Sequence, residues 1–290
     1  MPEHTVWSEL FGVPLSQRYV DVDGIRTRVV EAGEGAPLVF VHGTGGHLEA
    51  YARNIGGLAR DFRVIVYDML GHGLSDKPDR PYTIDVLSDH LIGLLDVLGI
   101  GQVDLSGESL GGWVAAWTAA HFPERVRRII LNTPGNIANK PEVMARVKDS
   151  SLKAAREPTT ANVRSRLEWL FYDTSFVTDE LVGIRQRIYS QPGFDRAMEN
   201  IVALQEPEIR KHFLWGPEWC GNIKAPTLLL WTDHDPTGGL DEADLLLQWI
   251  PDSRLVVIED AGHWPQWEKP EEFNRVHRTF LGGEQPGDGR

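Results

Sequence analysis

Three side chains far apart along the chain have the types and order needed to make a hydroxyl attack a carbonyl. The first is Ser109, in the run Gly107-Glu108-Ser109-Leu110-Gly111-Gly112. A serine hydroxyl is a weak nucleophile unless it is exposed, positioned and served by a base. Residues 102–105 before it read as a strand, and 110–121 after it read as a helix. A sharp strand–helix corner lifts the hydroxyl out of the sheet and has room only for small residues two positions either side, where Gly107 and Gly111 stand. The helix start brings N–H groups and a positive dipole end to a developing oxyanion. The second feature is Trp231-Thr232-Asp233-His234-Asp235-Pro236, two aspartates after an apolar run, and the third is Gly262-His263-Trp264. In the order serine, acid, histidine, His263 would take the Ser109 proton, while the acid holds its tautomer and stabilises the imidazolium. Register after the strand favours Asp235 over Asp233, and Asn132-Thr133-Pro134 offers no competing carboxylate. The loop His42-Gly43-Thr44-Gly45-Gly46 follows the apolar residues 37–41. We assign the two oxyanion donors to the N–H groups of Thr44 and Leu110, and read His42 and His72 as setting their own loops.

Composition removes several rival chemistries. The 290 residues carry 29 Lys+Arg against 42 Asp+Glu, a net charge of −13, so no cation stripe is available for a nucleic-acid backbone. One cysteine, Cys220, allows no internal disulfide or cysteine metal cluster, and with no H-E-x-x-H pattern a metal is not expected. The glycine loop at 42–46 is not G-x-G-x-x-G and lacks a P-loop lysine, which argues against a nucleotide site. The first residues have neither a basic nor a long apolar region, and no stretch reaches the ~18 apolar residues of a membrane span. We expect no cofactor, a small-molecule substrate, no membrane partner, and a cytoplasmic setting.

The elements that must position these residues follow from periodicity. Residues 18–31 read as two strands around the turn Asp23-Gly24. Compact apolar runs at 37–41, 63–67, 102–105, 128–131, 226–231 and 254–258 look like strands buried on both faces. Helix-period segments at 83–98, 110–121, 241–249 and 270–280 alternate with them, which implies a mostly parallel sheet flanked by helices. From Pro134 to Gly221 the rhythm breaks into helical patterns at 142–156, 160–172, 178–190 and 195–204, punctuated by prolines 141, 158, 192, 207 and 217. One strand–helix–strand unit needs only about 30 residues. We therefore expect a core of residues 1–134 and 222–290 with a helical lid at 135–221. The polar tail 282–290 reads as frayed.

Together these motifs resemble the α/β-hydrolase superfamily from about Tyr19 to Leu281. The chain is more closely similar to the meta-cleavage product hydrolases, which split a carbon–carbon bond in ring-fission products of aromatic degradation. The likeness rests on Gly262-His263-Trp264-Pro265-Gln266-Trp267-Glu268, Asp68-Met69-Leu70-Gly71-His72-Gly73, Ala52-Arg53-Asn54-Ile55, and the lid residues Tyr172-Asp173, Thr178-Asp179-Glu180-Leu181, Arg185 and Gln191-Pro192-Gly193-Phe194. It implies a substrate of the 2-hydroxy-6-oxohexa-2,4-dienoate type, released as 2-hydroxypenta-2,4-dienoate and a carboxylic acid, and a homo-oligomer. It also implies that Arg185 grips the substrate carboxylate, which a planar guanidinium can do bidentately. Trp264 would lie against the dienoate and Asn54 on the polar side of the pocket, with Gly43 and Glu108 also at the substrate. Two residues depart from the family pattern. Glu108 stands where asparagine is common, and Thr44 where glycine is often found. An ionised Glu108 would repel a bound carboxylate, so it is protonated, turned away, or matched to another substrate. An esterase or lactonase would use the same three residues, and a non-catalytic receptor on this fold would have no need of them. The group on C6 would be set by side chains such as Trp169, Phe171, Trp215 and Trp219, or these are lid core.

Overall fold

Eight strands form one sheet in the computed structural model, which describes residues 5–283. They are β1 (Leu15–Val22), β2 (Ile25–Ala32), β3 (Ala36–Val41), β4 (Phe62–Tyr67), β5 (Val103–Glu108), β6 (Val126–Asn132), β7 (Thr227–Thr232) and β8 (Ser253–Ile258). The spatial order is β1-β2-β4-β3-β5-β6-β7-β8. Pairings β1/β2 and β2/β4 are antiparallel, and all from β4 to β8 are parallel. The hairpin turn is made by Asp23 and Gly24, both at positive φ, the twist that suits a two-residue connection. Every residue of β5 and β7 is buried, because helices cover both faces of these central strands. β1 is mostly exposed along one edge and β8 is half-buried along the other.

Helices Ile84–Val97, Leu110–His121, Leu240–Trp249 and Pro270–Leu281 pack on the sheet where the helical periodicity places them. Between β6 and β7 the chain is helical throughout its regular parts, with Pro141–Arg156, Thr160–Glu168, Asp179–Tyr189 and Phe194–Ile201 as the longer helices. Pro141, Pro207 and Pro217 each open a helix, where a missing N–H costs nothing. Two ends differ from the periodicity. The helix expected over 160–172 stops at Glu168, and the following turn leaves the Leu170 carbonyl free to accept from the His263 N–H at 2.7 Å. The helix expected over 195–204 ends at Ile201 and tightens into a 3₁₀ turn, Val202–Gln205. Most of the tail read as frayed, from residue 284, lies outside the described residues. No helix among the described residues is long and apolar enough to cross a membrane.

Candidate active site

The loops that follow the carboxyl ends of β3, β5, β6, β7 and β8 converge on one pocket, the position a parallel sheet offers a ligand. Ser109 sits at the end of β5 with φ +54° and ψ −118°, a conformation L-residues rarely adopt. Its N–H donates to Asn132 O, and its carbonyl accepts from the Gly135 and Trp113 N–H groups, so neighbouring backbone holds the strained corner. A Cβ on Gly107 would lie 2.1 Å from the Gly111 carbonyl oxygen, and one on Gly111 2.0 Å from that of Val41. The corner thus has room for glycine only at these two places. Gly43, Thr44, Leu110 and Gly135 line the pocket around Ser109. A Cβ on Gly135 would stand 3.6 Å from the Ser109 hydroxyl and 3.8 Å from the Leu110 nitrogen, so this glycine keeps the face of the corner open.

His263 reaches the pocket from the loop after β8. Its Nδ1–H donates to Asp235, 2.9 and 3.0 Å from the two carboxylate oxygens. Thr237 donates both its N–H and its hydroxyl to Asp235 Oδ1, each at 2.8 Å, which fixes the acid. Asp233 is used differently. Its carboxylate accepts from the Asp260 and Ala261 N–H groups and closes the adjoining loop. The other imidazole nitrogen, Nε2, faces Glu108 Oε1 at 3.2 Å. Glu108 is therefore not turned away from the site. A Cβ on Gly43 would meet both Glu108 oxygens, at 2.6 and 2.8 Å, so the carboxylate lies between the glycine loop and the imidazole. Burial alone would push His263 down, but Asp235 and then Glu108 reverse this and lift it to about 10. The ring thus sits between two acidic side chains that favour its protonated form.

Arg185 and Trp264 share the pocket wall, with the guanidinium 5.1 Å from the indole ring. Arg185 is 1% exposed, and its Nε and Nη2 have no hydrogen-bond partner. Its helix is anchored over the site by the Tyr189 hydroxyl, which donates to Gly45 O at 2.9 Å. Asn54 does not line this pocket. It is fully buried behind the histidine loop, where its amide donates to Gln266 O and to Asn274 Oδ1. The reason is that helix Ala52–Leu58 packs against Pro270–Leu281, below the sheet ends. Of the aromatic residues considered for the C6 group, Trp169, Phe171, Trp215 and Trp219 all lie outside the lining, while Trp113 is in it and stacks on Trp215.

Sequence reasoning missed Thr237, Gly135, Arg166 and Arg210, all of which line the pocket. Thr237, two residues past Asp235, was within reach of local reading. The two arginines were not, because nothing in a helical pattern tells an inward cation from a solvated one. His42 braces its loop, accepting from the Met69 N–H at Nε2 while Nδ1 donates to Gly43 O, and burial holds it well below the usual range.

A family model for the alpha/beta hydrolase fold matches residues 36–270. The chain belongs to this family. It is 33% identical over 273 residues to a 2-hydroxy-6-oxo-2,4-heptadienoate hydrolase of Pseudomonas putida strain F1, covering 92% of this chain and 96% of that one. It is equally 33% identical to a 2-hydroxy-6-oxononadienedioate/2-hydroxy-6-oxononatrienedioate hydrolase of Burkholderia vietnamiensis, again over 92% and 96% of the two chains. Among solved structures, the hydrolase is similar to a meta-cleavage product hydrolase (CumD) from Pseudomonas fluorescens IP01, with a TM-score of 0.81 and 30% identity over 91% of this chain and 97% of that one.

Proposed function

We propose that this hydrolase cleaves the C5–C6 bond of a 2-hydroxy-6-oxohexa-2,4-dienoate, with Ser109, His263 and Asp235 as its reacting residues. The carrying observation is Arg185: a guanidinium buried in the same pocket as Ser109, with two nitrogens unpartnered and no ion pair among the described residues. A neutral ester would leave that charge uncompensated, whereas a dienoate brings a carboxylate to it. The relatives named for ring-fission dienoates support the same reading.

Arg185 holds the C1 carboxylate, and Trp264 packs on the diene. A proton moves from the C2 hydroxyl to C5, leaving a C2 ketone conjugated with the C3–C4 double bond and a tetrahedral C5 beside the C6 ketone. Glu108 yields Nε2 to the Ser109 hydroxyl, or to a water in its place. His263 takes that proton as oxygen attacks C6, and the oxyanion forms at the N–H groups of Thr44 and Leu110. The C5–C6 bond breaks with its electron pair passing to C5 and the C2 oxygen as dienolate. Protonation by His263 releases 2-hydroxypenta-2,4-dienoate. Where water attacked, C6 leaves directly as a carboxylic acid; where Ser109 attacked, C6 stays as its ester until a water deprotonated by His263 adds and Ser109 leaves with that proton. We assign residues 135–221 to a lid over this pocket and the remainder to the core.

The test compares bleaching of a yellow dienoate with hydrolysis of p-nitrophenyl esters. The dienoate is expected to have the larger kcat/KM, and Ser109→Ala to lower kcat by at least about 10³-fold. A larger kcat/KM for the esters would remove the carbon–carbon reading.

A further inference from the structure

Three arginines line the pocket: Arg166, Arg185 and Arg210, exposed by 4, 1 and 2%. None of them forms an ion pair among the described residues. A buried cation without an acid is costly, and a protein keeps three in one cavity only if something anionic arrives there. Arg185 answers to the C1 carboxylate. Arg166 and Arg210 remain.

Arg166 makes one weak hydrogen bond, Nε to Ser151 Oγ at 3.3 Å, its guanidinium lies 5.4 Å from the Trp169 ring centre, and its buried Nη1 has no hydrogen-bond partner. Arg210 is held by neutral acceptors: Asn139 Oδ1 at 2.6 Å, Asn136 O at 2.8 Å and Leu204 O at 3.3 Å. These orient its guanidinium over Trp113 without cancelling its charge. Burial pushes both groups down to about 10. The carboxylates that could compensate them are already engaged. Glu108 and Asp235 both bond His263, and Glu242, which acts on Arg210 through space, is paired with Lys140 at 2.9 Å. Neither Glu108 nor Asp235 forms an ion pair with Arg166 or Arg210, so the two guanidiniums stay unpaired whichever protonation state His263 holds. A dienoate with a methyl or phenyl group on C6 brings only one negative charge.

We propose that Arg166 and Arg210 form a second anion subsite, which takes a carboxylate at the end of the C6 substituent, so that the substrate class is a dienedioate. The apolar side chains of Val143, Val147 and Leu170 in the same wall suit the methylene linker between C6 and that acid. Sequence likeness does not choose here, because the relatives named for a heptadienoate and for a nonadienedioate are equally identical to this chain. The choice comes from charge. The inference rests on the carbon–carbon reading above.

The experiment measures kcat/KM for 2-hydroxy-6-oxohepta-2,4-dienoate, its 6-phenyl analogue and 2-hydroxy-6-oxonona-2,4-dienedioate with the wild-type protein, Arg166→Met and Arg210→Met. The dienedioate is expected to exceed the other two by roughly tenfold or more in the wild type. Each variant is expected to shrink the dienedioate/heptadienoate ratio by roughly 10- to 100-fold, the worth of a charge-assisted pair. The ratio is independent of how much of a variant folds, and the wild-type comparison stands without any variant. Cleavage of all three with no preference for the dienedioate overturns the second subsite and leaves the carbon–carbon reading intact. An unchanged ratio in both variants also overturns it. Bleaching of none of the three removes both.

Discussion

Glu108 occupies the place on His263 Nε2 that a serine hydroxyl would need, and in the proposed reaction this one contact governs when the imidazole can act as a base. A base must be neutral to accept a proton, and two carboxylates hold this one charged up to about pH 10. In Glu108→Gln one of the two charges goes. The rising limb of the kcat/KM–pH profile is then expected to move down by about one pH unit, since an adjacent opposite charge is worth about that or more. An unmoved limb would separate Glu108 from proton transfer. Stability carries the same signature. His263 is raised in the folded state above its ordinary value of 6.5, so its contribution is fully present below about pH 6.5 and is lost as pH rises through about 10. The wild type is thus expected to gain most in Tm over Glu108→Gln near pH 6, and the difference to close toward pH 10.

The strand–turn–helix corner concentrates the strain of the site. β5 must end, reverse onto helix Leu110–His121 and leave Ser109 at positive φ, and backbone atoms approach where any side chain would stand. Gly111→Ala would drive a methyl into the Val41 carbonyl, which is itself fixed by sheet pairing and accepts from the Tyr51 hydroxyl at 3.0 Å. Neither can give way cheaply. We expect a loss of about 3 kcal/mol in urea unfolding, together with loss of turnover beyond what the folded fraction explains. By contrast Gly183, in the helix that carries Arg185, has nothing near its Cβ position. Gly183→Ala should be neutral or gain up to about 1 kcal/mol from helix propensity, and the same unfolding curves measure both.

Across the molecule, the helical insert and the core meet at the loop that carries His263. Glu268 is the joint: Oε1 accepts from the Gly262 N–H at 2.8 Å, and Oε2 accepts from the Tyr172 and Asp173 N–H groups at 3.0 Å each. Gly262 is pressed against the same segment, where a Cβ would lie 2.5 Å from Leu170 O. Glu268→Ala strands three N–H donors at once. It is expected to cost about 2–3 kcal/mol of stability and to speed protease cutting within the insert before the core unfolds. Equal loss from insert and core would show that the two come apart as one unit.

The alternation of buried apolar runs with helical periods was enough to read a parallel α/β sheet, because a strand covered on both faces is mostly apolar, as Leu228–Trp231 within β7 illustrate. Local chemistry carried the corner at Ser109 equally well, since Gly107 and Gly111 answer to backbone distances of only a few residues. Asp235 could be ranked above Asp233 by register alone, though the separate use of Asp233 as a loop clamp could not be foreseen. Long-range matters escaped for a common reason. Whether Asn54 faces the pocket or the back of the histidine loop depends on how Ala52–Leu58 meets Pro270–Leu281, more than 200 residues away. Whether Arg166 and Arg210 are solvated or buried depends on which face of each helix the insert turns inward, and helical spacing is blind to that. The position of Glu108 over His263 is of the same kind: a single charge, ordinary along the chain, acquires its meaning from the ring that folding brings to 3.2 Å.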